Sequence, residues 1–199
     1  MTDTHDQIAG LLLAAGGGRR LGGRPKALLA HHGRPLVEHA VEVLRAGGCG
    51  PVHVVLGAAA DDVRERARLT GCVVVENPEW AEGMGSSLRV GLASLAGAGA
   101  RAALVSLVDQ PGIGSEAVAR VLGGYRDEDS LVAAAYDGVR GHPVLFGARH
   151  WPGIAASATG DRGARAYLKA HEAEIALVEC ADAAEPYDID TEADLRHLA

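Results

Sequence analysis

Short apolar runs punctuate the chain at Ile8–Ala14, Val52–Leu56, Cys72–Val75, Ala102–Val108, Leu131–Ala135, Val144–Phe146 and Ile175–Val178, each of strand length and set off by glycine and proline. Between most of them, apolar positions recur at the spacing of one helix face: Leu36, Val37, Ala40, Val41 and Leu44, then Leu88, Leu92 and Leu95, then Val118, Val121 and Leu122. Strand therefore alternates with helix. The early runs lack polar alternation, as strands buried on both faces do, which predicts a doubly wound α/β fold: a mostly parallel, Rossmann-like sheet in a three-layer α/β/α arrangement. No internal repeat is visible, and Ala96–Ala100 reads as a helix end and turn rather than a linker.

A length of 199 residues with 48% hydrophobic content suits one domain spanning 1–199, with 1–7 as a flexible N-terminus. The 19 basic and 26 acidic residues leave a formal charge of −7, which repels a nucleic-acid backbone and argues against polymer binding. Phosphate chemistry must then rely on locally concentrated positive charge, and arginines lie among glycines at residues 19–26. The three cysteines, Cys49, Cys72 and Cys180, are odd in number and widely spaced, fitting neither a disulfide framework nor a zinc site. With no secretory start and no run long enough to span a membrane, the expected location is the cytoplasm, away from lipid.

Open parallel sheets bind ligands beyond the carboxyl ends of their strands. After the first strand comes Leu13-Ala14-Ala15-Gly16-Gly17-Gly18-Arg19-Arg20-Leu21-Gly22-Gly23-Arg24-Pro25-Lys26. Small residues let backbone N–H groups approach an anion, and Arg19 and Lys26 supply countercharge for a triphosphate. A dinucleotide fingerprint from Gly16 fails at Leu21, and a phosphate loop of the Walker type from Gly18 fails at Arg24 and Pro25. The Ala102–Val108 run ends in Asp109-Gln110-Pro111, which puts a hard oxygen ligand suited to magnesium at the sheet rim. Asp188-Ile189-Asp190-Thr191 offers a second acidic source, although Asp190 or Thr191 is equally suited to capping the last helix. At Gly83-Met84-Gly85-Ser86-Ser87 the physics of helix ends favours a serine N-cap, and Asn77-Pro78 reads as a plain turn.

The stretch LAAGGGRRLGGRPKALL resembles the signature loop of the molybdopterin nucleotidyltransferase-like family of NTP transferases, and the likeness runs from Leu13 to Leu195. It implies a loop of Leu13, Ala14, Ala15, Gly16, Gly17 and Gly18 around an NTP, with catalytic roles for Arg19 at the β- and γ-phosphates, Lys26 at the α-phosphate, and Asp109. GMGSSLRVGL is similar to the cytidylyltransferase branch, in which Gly83, Gly85, Ser86 and Ser87 would contact cytosine and ribose. The C-terminal tetrapeptide is similar to a metal-binding motif, making Asp109, Asp188 and Asp190 the expected Mg2+ ligands. GHPVLF and GDRGAR resemble the acceptor side, which nominates His142, Asp161 and Arg162. Alanine at position 15 accompanies CTP use. The implied reaction is CMP transfer to a phosphorylated acceptor such as molybdopterin, with a molybdenum enzyme as a transient partner. GTP in place of CTP, a sugar-phosphate or phospholactate acceptor, a non-catalytic nucleotide-binding module and a nicotinamide- or flavin-dependent oxidoreductase remain as alternatives. One departure is Glu192 after Thr191, where many relatives have proline nearby; it bears on how the last helix begins.

Overall fold

In chain order the computed structural model, which describes residues 7–199, contains β1 (Ile8–Ala14), a small hairpin of β2 (Ala30–His31) and β3 (Arg34–Pro35), α1 (Leu36–Ala46), β4 (Val52–Leu56), α2 (Ala60–Arg66), β5 (Val73–Glu76), α3 (Met84–Gly97), β6 (Ala102–Leu107), α4 (Ser115–Leu122), β7 (Leu131–Tyr136), β8 (Val139–Gly147), α5 (Trp151–Ser157), α6 (Arg165–Ala170) and β9 (Ala176–Glu179). All strands but β2 and β3 join one sheet in the order β5-β4-β1-β6-β8-β7-β9. β1 lies inside it, parallel to β4 on one side and to β6 on the other.

The expected, mostly parallel sheet is present, with one reversal. β8 runs antiparallel to both β6 and β7. The cause is local: Asp137 and Gly138 join β7 to β8 with φ of 51° and 79°, the doubly left-handed turn whose twist matches a two-residue hairpin. The hairpin also extends β8 to Val139–Gly147, well beyond the apolar run Val144–Phe146.

Every residue of β1 and β4 is buried because the sheet has a core on each face. Alternate β1 residues serve opposite cores: Ile8 and Leu12 join Leu36, Val41 and Val118 from α1 and α4, while Leu11 and Leu13 join Leu88, Leu92 and Ile154 from α3 and α5. The helices sit close. A Cβ on Gly91 of α3 would lie 2.6 Å from Leu11 Cδ1, and one on Gly47 after α1 would lie 2.3 Å from Val118 Cγ1. At the sheet edges, β5 and β9 are largely exposed and begin one residue later than their apolar runs.

Residues 1–6 of the expected flexible N-terminus lie outside the described residues. Gln7 is held in place, its carbonyl accepting from the Arg101 amide at 2.9 Å. Among the described residues no helix is long and apolar enough to cross a membrane.

Leu104, fully buried in the middle of β6, is the sharpest test of this packing. Leu104→Ala should lower unfolding free energy by about 2–5 kcal/mol in urea titration, and a loss under 1 kcal/mol would show the sheet centre to be loosely packed.

Candidate active site

The segment after β1 folds back on itself. Gly18 has φ 61°, and its carbonyl accepts from the amides of Leu21 at 2.8 Å and Gly23 at 3.0 Å. A Cβ at Gly18 would fall 1.9 Å from the Arg24 carbonyl oxygen, so only glycine permits this crossing. Leu21 is completely buried and anchors the turn, leaving Arg19 and Arg20 exposed on either side of the bend. Arg24 Nε donates to the Leu21 carbonyl at 3.0 Å, and the chain then turns at Lys26–Leu28 so that Lys26 faces the sheet.

Lys26 Nζ meets Asp109 Oδ2 at 2.7 Å and Asp190 Oδ1 at 3.1 Å. Burial alone would lower the lysine pKa, but the charges and hydrogen bonds of Asp109 and Asp190 outweigh it, and the pKa is raised. Asp190 also accepts from Arg20. Burial pushes its pKa up, and the hydrogen bonds from Arg20 and Lys26 reverse that and hold it low. Asp188 is raised, first by burial and then by the neighbouring charge of Asp109, while its Oδ1 accepts from Gln110 Nε2 at 2.8 Å.

The competition for the helix cap is settled by geometry. Thr191 is the N-cap, in a reciprocal box with Asp194, which leaves Asp190 to Lys26 and Arg20. Ile189, fully buried, donates its amide to the Asp109 carbonyl at 2.8 Å and so draws 188–190 against the end of β6. Glu192 does more than alter the helix start, since it pairs with Arg24 and ties the glycine-rich loop to the C-terminal segment.

At α3 the expectation of a serine cap fails because the helix begins at Met84, with Gly83 in the N-cap position at φ 113°. Ser86 and Ser87 sit inside the first turn, 2% and 3% exposed. Asn77, completely buried, donates its amide to both hydroxyls at 2.8 and 2.9 Å, so it is a structural brace rather than a plain turn residue. The Ser86 hydroxyl in turn donates a shared hydrogen bond to the carbonyls of Gly83 and Glu79.

Two adjoining cavities open over these residues. The larger, of about 510 Å³, is lined by Leu13, Ala15, Gly16, Gly17, Gly18, Arg19, Arg20, Lys26, Trp80, Gly83 and Ser87. The smaller, of about 410 Å³, takes in Gln110, Arg140, His142, Arg162, Arg165 and Asp188. Leu13, Met84, Leu107, Asp109, Asp161 and Asp190 border both. Burial holds His142 down at about 4, against the pull of Asp188, so its ring is neutral at pH 7. Arg19, Arg140, Arg162 and Arg165 have no ion-pair partner among the described residues, so four guanidinium groups converge on the two cavities with their donors unspent.

Most residues expected from sequence therefore border one continuous groove. Ala14, Gly85 and Ser86 do not: Ala14 points into the core, a Cβ on Gly85 would meet the Thr159 amide at 2.8 Å, and Ser86 lies behind Ser87. Trp80, Arg140 and Arg165 line the cavities and were not singled out. The two arginines stood within the glycine-flanked segments, whereas nothing in sequence marked Trp80. The donors offered to a metal are all carboxylate oxygens, the set magnesium and manganese prefer. Among the described residues no three ligating side chains close on one point, so Asp109, Asp188 and Asp190 do not stand as one three-carboxylate ligand set.

The chain matches the MobA-like NTP transferase domain family over residues 10–175. It is 42% identical over 191 residues, 92% of each chain, to a protein named nicotine blue oxidoreductase from Paenarthrobacter nicotinovorans. Over 194 residues, 94% of this chain and 92% of the other, it is 32% identical to molybdenum cofactor guanylyltransferase from Acidiphilium cryptum. The crystal structure of Rv0371C from Mycobacterium tuberculosis in complex with manganese superposes with a TM-score of 0.75 at 28% identity, covering 96% of this chain and 97% of that one.

Asn77→Ala strands two buried hydroxyls without their shared donor. It should lower stability by about 1–3 kcal/mol in chemical denaturation, and an unchanged midpoint would show that the brace carries no strain-free fit of its own.

Proposed function

The chain belongs to the MobA-like NTP transferase family, and on that premise we propose that it transfers CMP from CTP to a phosphorylated small acceptor, with pyrophosphate as the leaving group. The observation that carries the reading is the Lys26 ammonium set between Asp109 and Asp190 at the seam of the two cavities, beneath the Gly16–Arg19 bend.

In this reading the triphosphate lies in the larger cavity against the amides and small residues of Gly16, Gly17 and Gly18, with Arg19 on its outer phosphates. Lys26 exchanges carboxylate contacts for an oxygen of the α-phosphate and offsets the charge that grows there. Beside Lys26 and Arg20 stand the carboxylates of Asp109, Asp188 and Asp190. Their hard oxygens suit a divalent cation held by Asp109 with Asp188 or Asp190. Mg2+ bound there would supply Lewis-acid polarisation of phosphate oxygens. The acceptor phosphate, already ionised at neutral pH, attacks in line from the smaller cavity, where Arg140 and Arg162 orient it and Asp161 and His142 shape the wall. No protein nucleophile and no general base is required, and positioning does the rest.

CTP is preferred over GTP in this reading because alanine stands at position 15, which the resemblance of the loop associates with CTP use, on the wall of the larger cavity beside Trp80. The acceptor class follows the family: a molybdopterin-type phosphate, with a molybdenum enzyme as recipient of the product and the cytosol as the place of reaction. A second reading is kept because the relative at 42% identity bears an oxidoreductase name. It requires reduced nicotinamide or flavin to be consumed.

Pyrophosphate release should be at least about tenfold faster in kcat/KM with CTP than with GTP, and Ala15→Gly should narrow that ratio. Asp109→Ala should lower turnover by about 10²–10³-fold with an unchanged circular dichroism spectrum. NADH oxidation by the purified protein, with no pyrophosphate from any NTP, would instead establish the second reading.

A further inference from the structure

Part of the glycine-rich bend has no hydrogen bonds to hold it. The Gly18 carbonyl is bonded to the amides of Leu21 and Gly23, but among the described residues the amides and carbonyls of Gly16 and Gly17 have no protein partner. Free amides are what an anion needs. Two unbonded glycines, however, are the residues with the most backbone freedom to lose when they are fixed, so something else must order them. Trp80, half-buried on the wall of the larger cavity, is the side chain in place to do so. Its indole runs from Gly57, after β4, to Gly17, after β1. A Cβ at Gly57 would lie 2.4 Å from Trp80 Cβ and 2.7 Å from Cγ, and one at Gly17 would lie 3.1 Å from Cζ3 and 3.2 Å from Cη2, at the far end of the ring. The next neighbour at Gly17 is the Ala58 methyl at 3.5 Å.

Trp80 is itself firmly held. Its amide donates to the Asn77 carbonyl at 3.3 Å and its carbonyl accepts from the Gly83 amide at 3.1 Å. Beside it, the Glu79 amide donates to Asn77 Oδ1 at 3.0 Å and the Glu79 carbonyl accepts from the Ser86 hydroxyl at 3.0 Å. Asn77 and Ser86 thus tie the Trp80 segment to the first turn of α3. We propose that Trp80 is the positioning residue of the phosphate-binding bend: packed along Gly57 and Gly17, its indole holds the free amides of Gly16 and Gly17 in the conformation that receives a phosphate chain. The ring restricts the glycines before the ligand arrives, so binding does not have to order them. That the ligand is a phosphate chain rests on the nucleotidyl-transfer reading, whereas the dependence of the bend on Trp80 does not.

Isothermal titration with inorganic tripolyphosphate and magnesium reads the bend with no base present to stack on the ring. Trp80→Leu, which leaves carbon against Gly57 but cannot reach Gly17, is expected to weaken that binding about tenfold or more, and Trp80→Phe to recover most of the loss. In the ligand-free protein, exchange of the Leu21 and Gly23 amides, both bonded to the Gly18 carbonyl, is expected to quicken in Trp80→Leu while the amides of β1 and β4 keep their rates. Equal tripolyphosphate affinity in Trp80→Leu overturns the proposal, as does unchanged exchange at Leu21 and Gly23 or faster exchange spread over the whole sheet. Weaker CTP binding with unchanged tripolyphosphate binding also overturns it, making the indole a contact for the base. Should the leucine variant not fold, wild-type fluorescence decides. Trp151 is buried with its Nε1 bonded to the Phe146 carbonyl at 3.0 Å, so a change of emission on tripolyphosphate binding belongs to Trp80, and its absence overturns the proposal. Wild-type protein that binds neither tripolyphosphate nor CTP sinks the transferase reading, and exchange at Leu21 and Gly23 then decides the role of Trp80 by itself.

Discussion

One ammonium group joins three distant parts of the chain. Lys26 follows the glycine-rich bend, Asp109 follows the central strand β6, and Asp190 belongs to the C-terminal segment, and the two carboxylates converge on Nζ at 2.7 and 3.1 Å. The raised lysine pKa shows that attraction to the two acids exceeds the penalty of burying the charge. Neither acid could be there without other restraints. The Ile189 amide is spent on the Asp109 carbonyl, the Thr191–Asp194 box ends the irregular segment, and Arg24 meets Glu192. Loop, strand end and tail therefore hold one another at the spot where the groove divides.

The division has chemical sense. On one side lie small residues with accessible backbone and Arg19, in the proposed reading suited to a chain of phosphates; on the other lie Arg140, Arg162 and Arg165, suited to one anionic group, and none of these four arginines has an ion-pair partner among the described residues. Asp109, Asp161 and Asp190 stand between, and Asp188 lies on the side of the smaller cavity; in the proposed reading this is where two phosphates that repel each other are brought together. A neutral His142 near that seam adds shape without adding charge.

Much of this was legible from sequence because the signals were local or periodic. The β1 and β4 runs announce burial on both faces by lacking polar alternation, and the glycines of residues 16–23 announce a tight bend. What sequence could not reach depends on tertiary partners. Thr191 and Asp190 both look like caps until Lys26 and Arg20 claim the aspartate. Ser86 looks like a cap until the helix proves to start at Met84, and Asn77 looks like a turn residue until its amide is found buried between two hydroxyls. Trp80 carries no periodic or spacing signal and enters the site only through the close approach of Gly17 and Gly57. The antiparallel β8 is a different case, since Asp137-Gly138 between two apolar runs is a hairpin signal in its own right.

The central claim is that the bend at Gly16–Arg19 and the acids at 109 and 188–190 grip one metal-bound nucleotide together. Amide hydrogen exchange read with and without Mg·CTP tests this most directly. Slowed exchange confined to residues 15–21 and 188–191, absent when the magnesium is chelated, is the predicted result; unchanged exchange in both segments, or protection elsewhere alone, would contradict it.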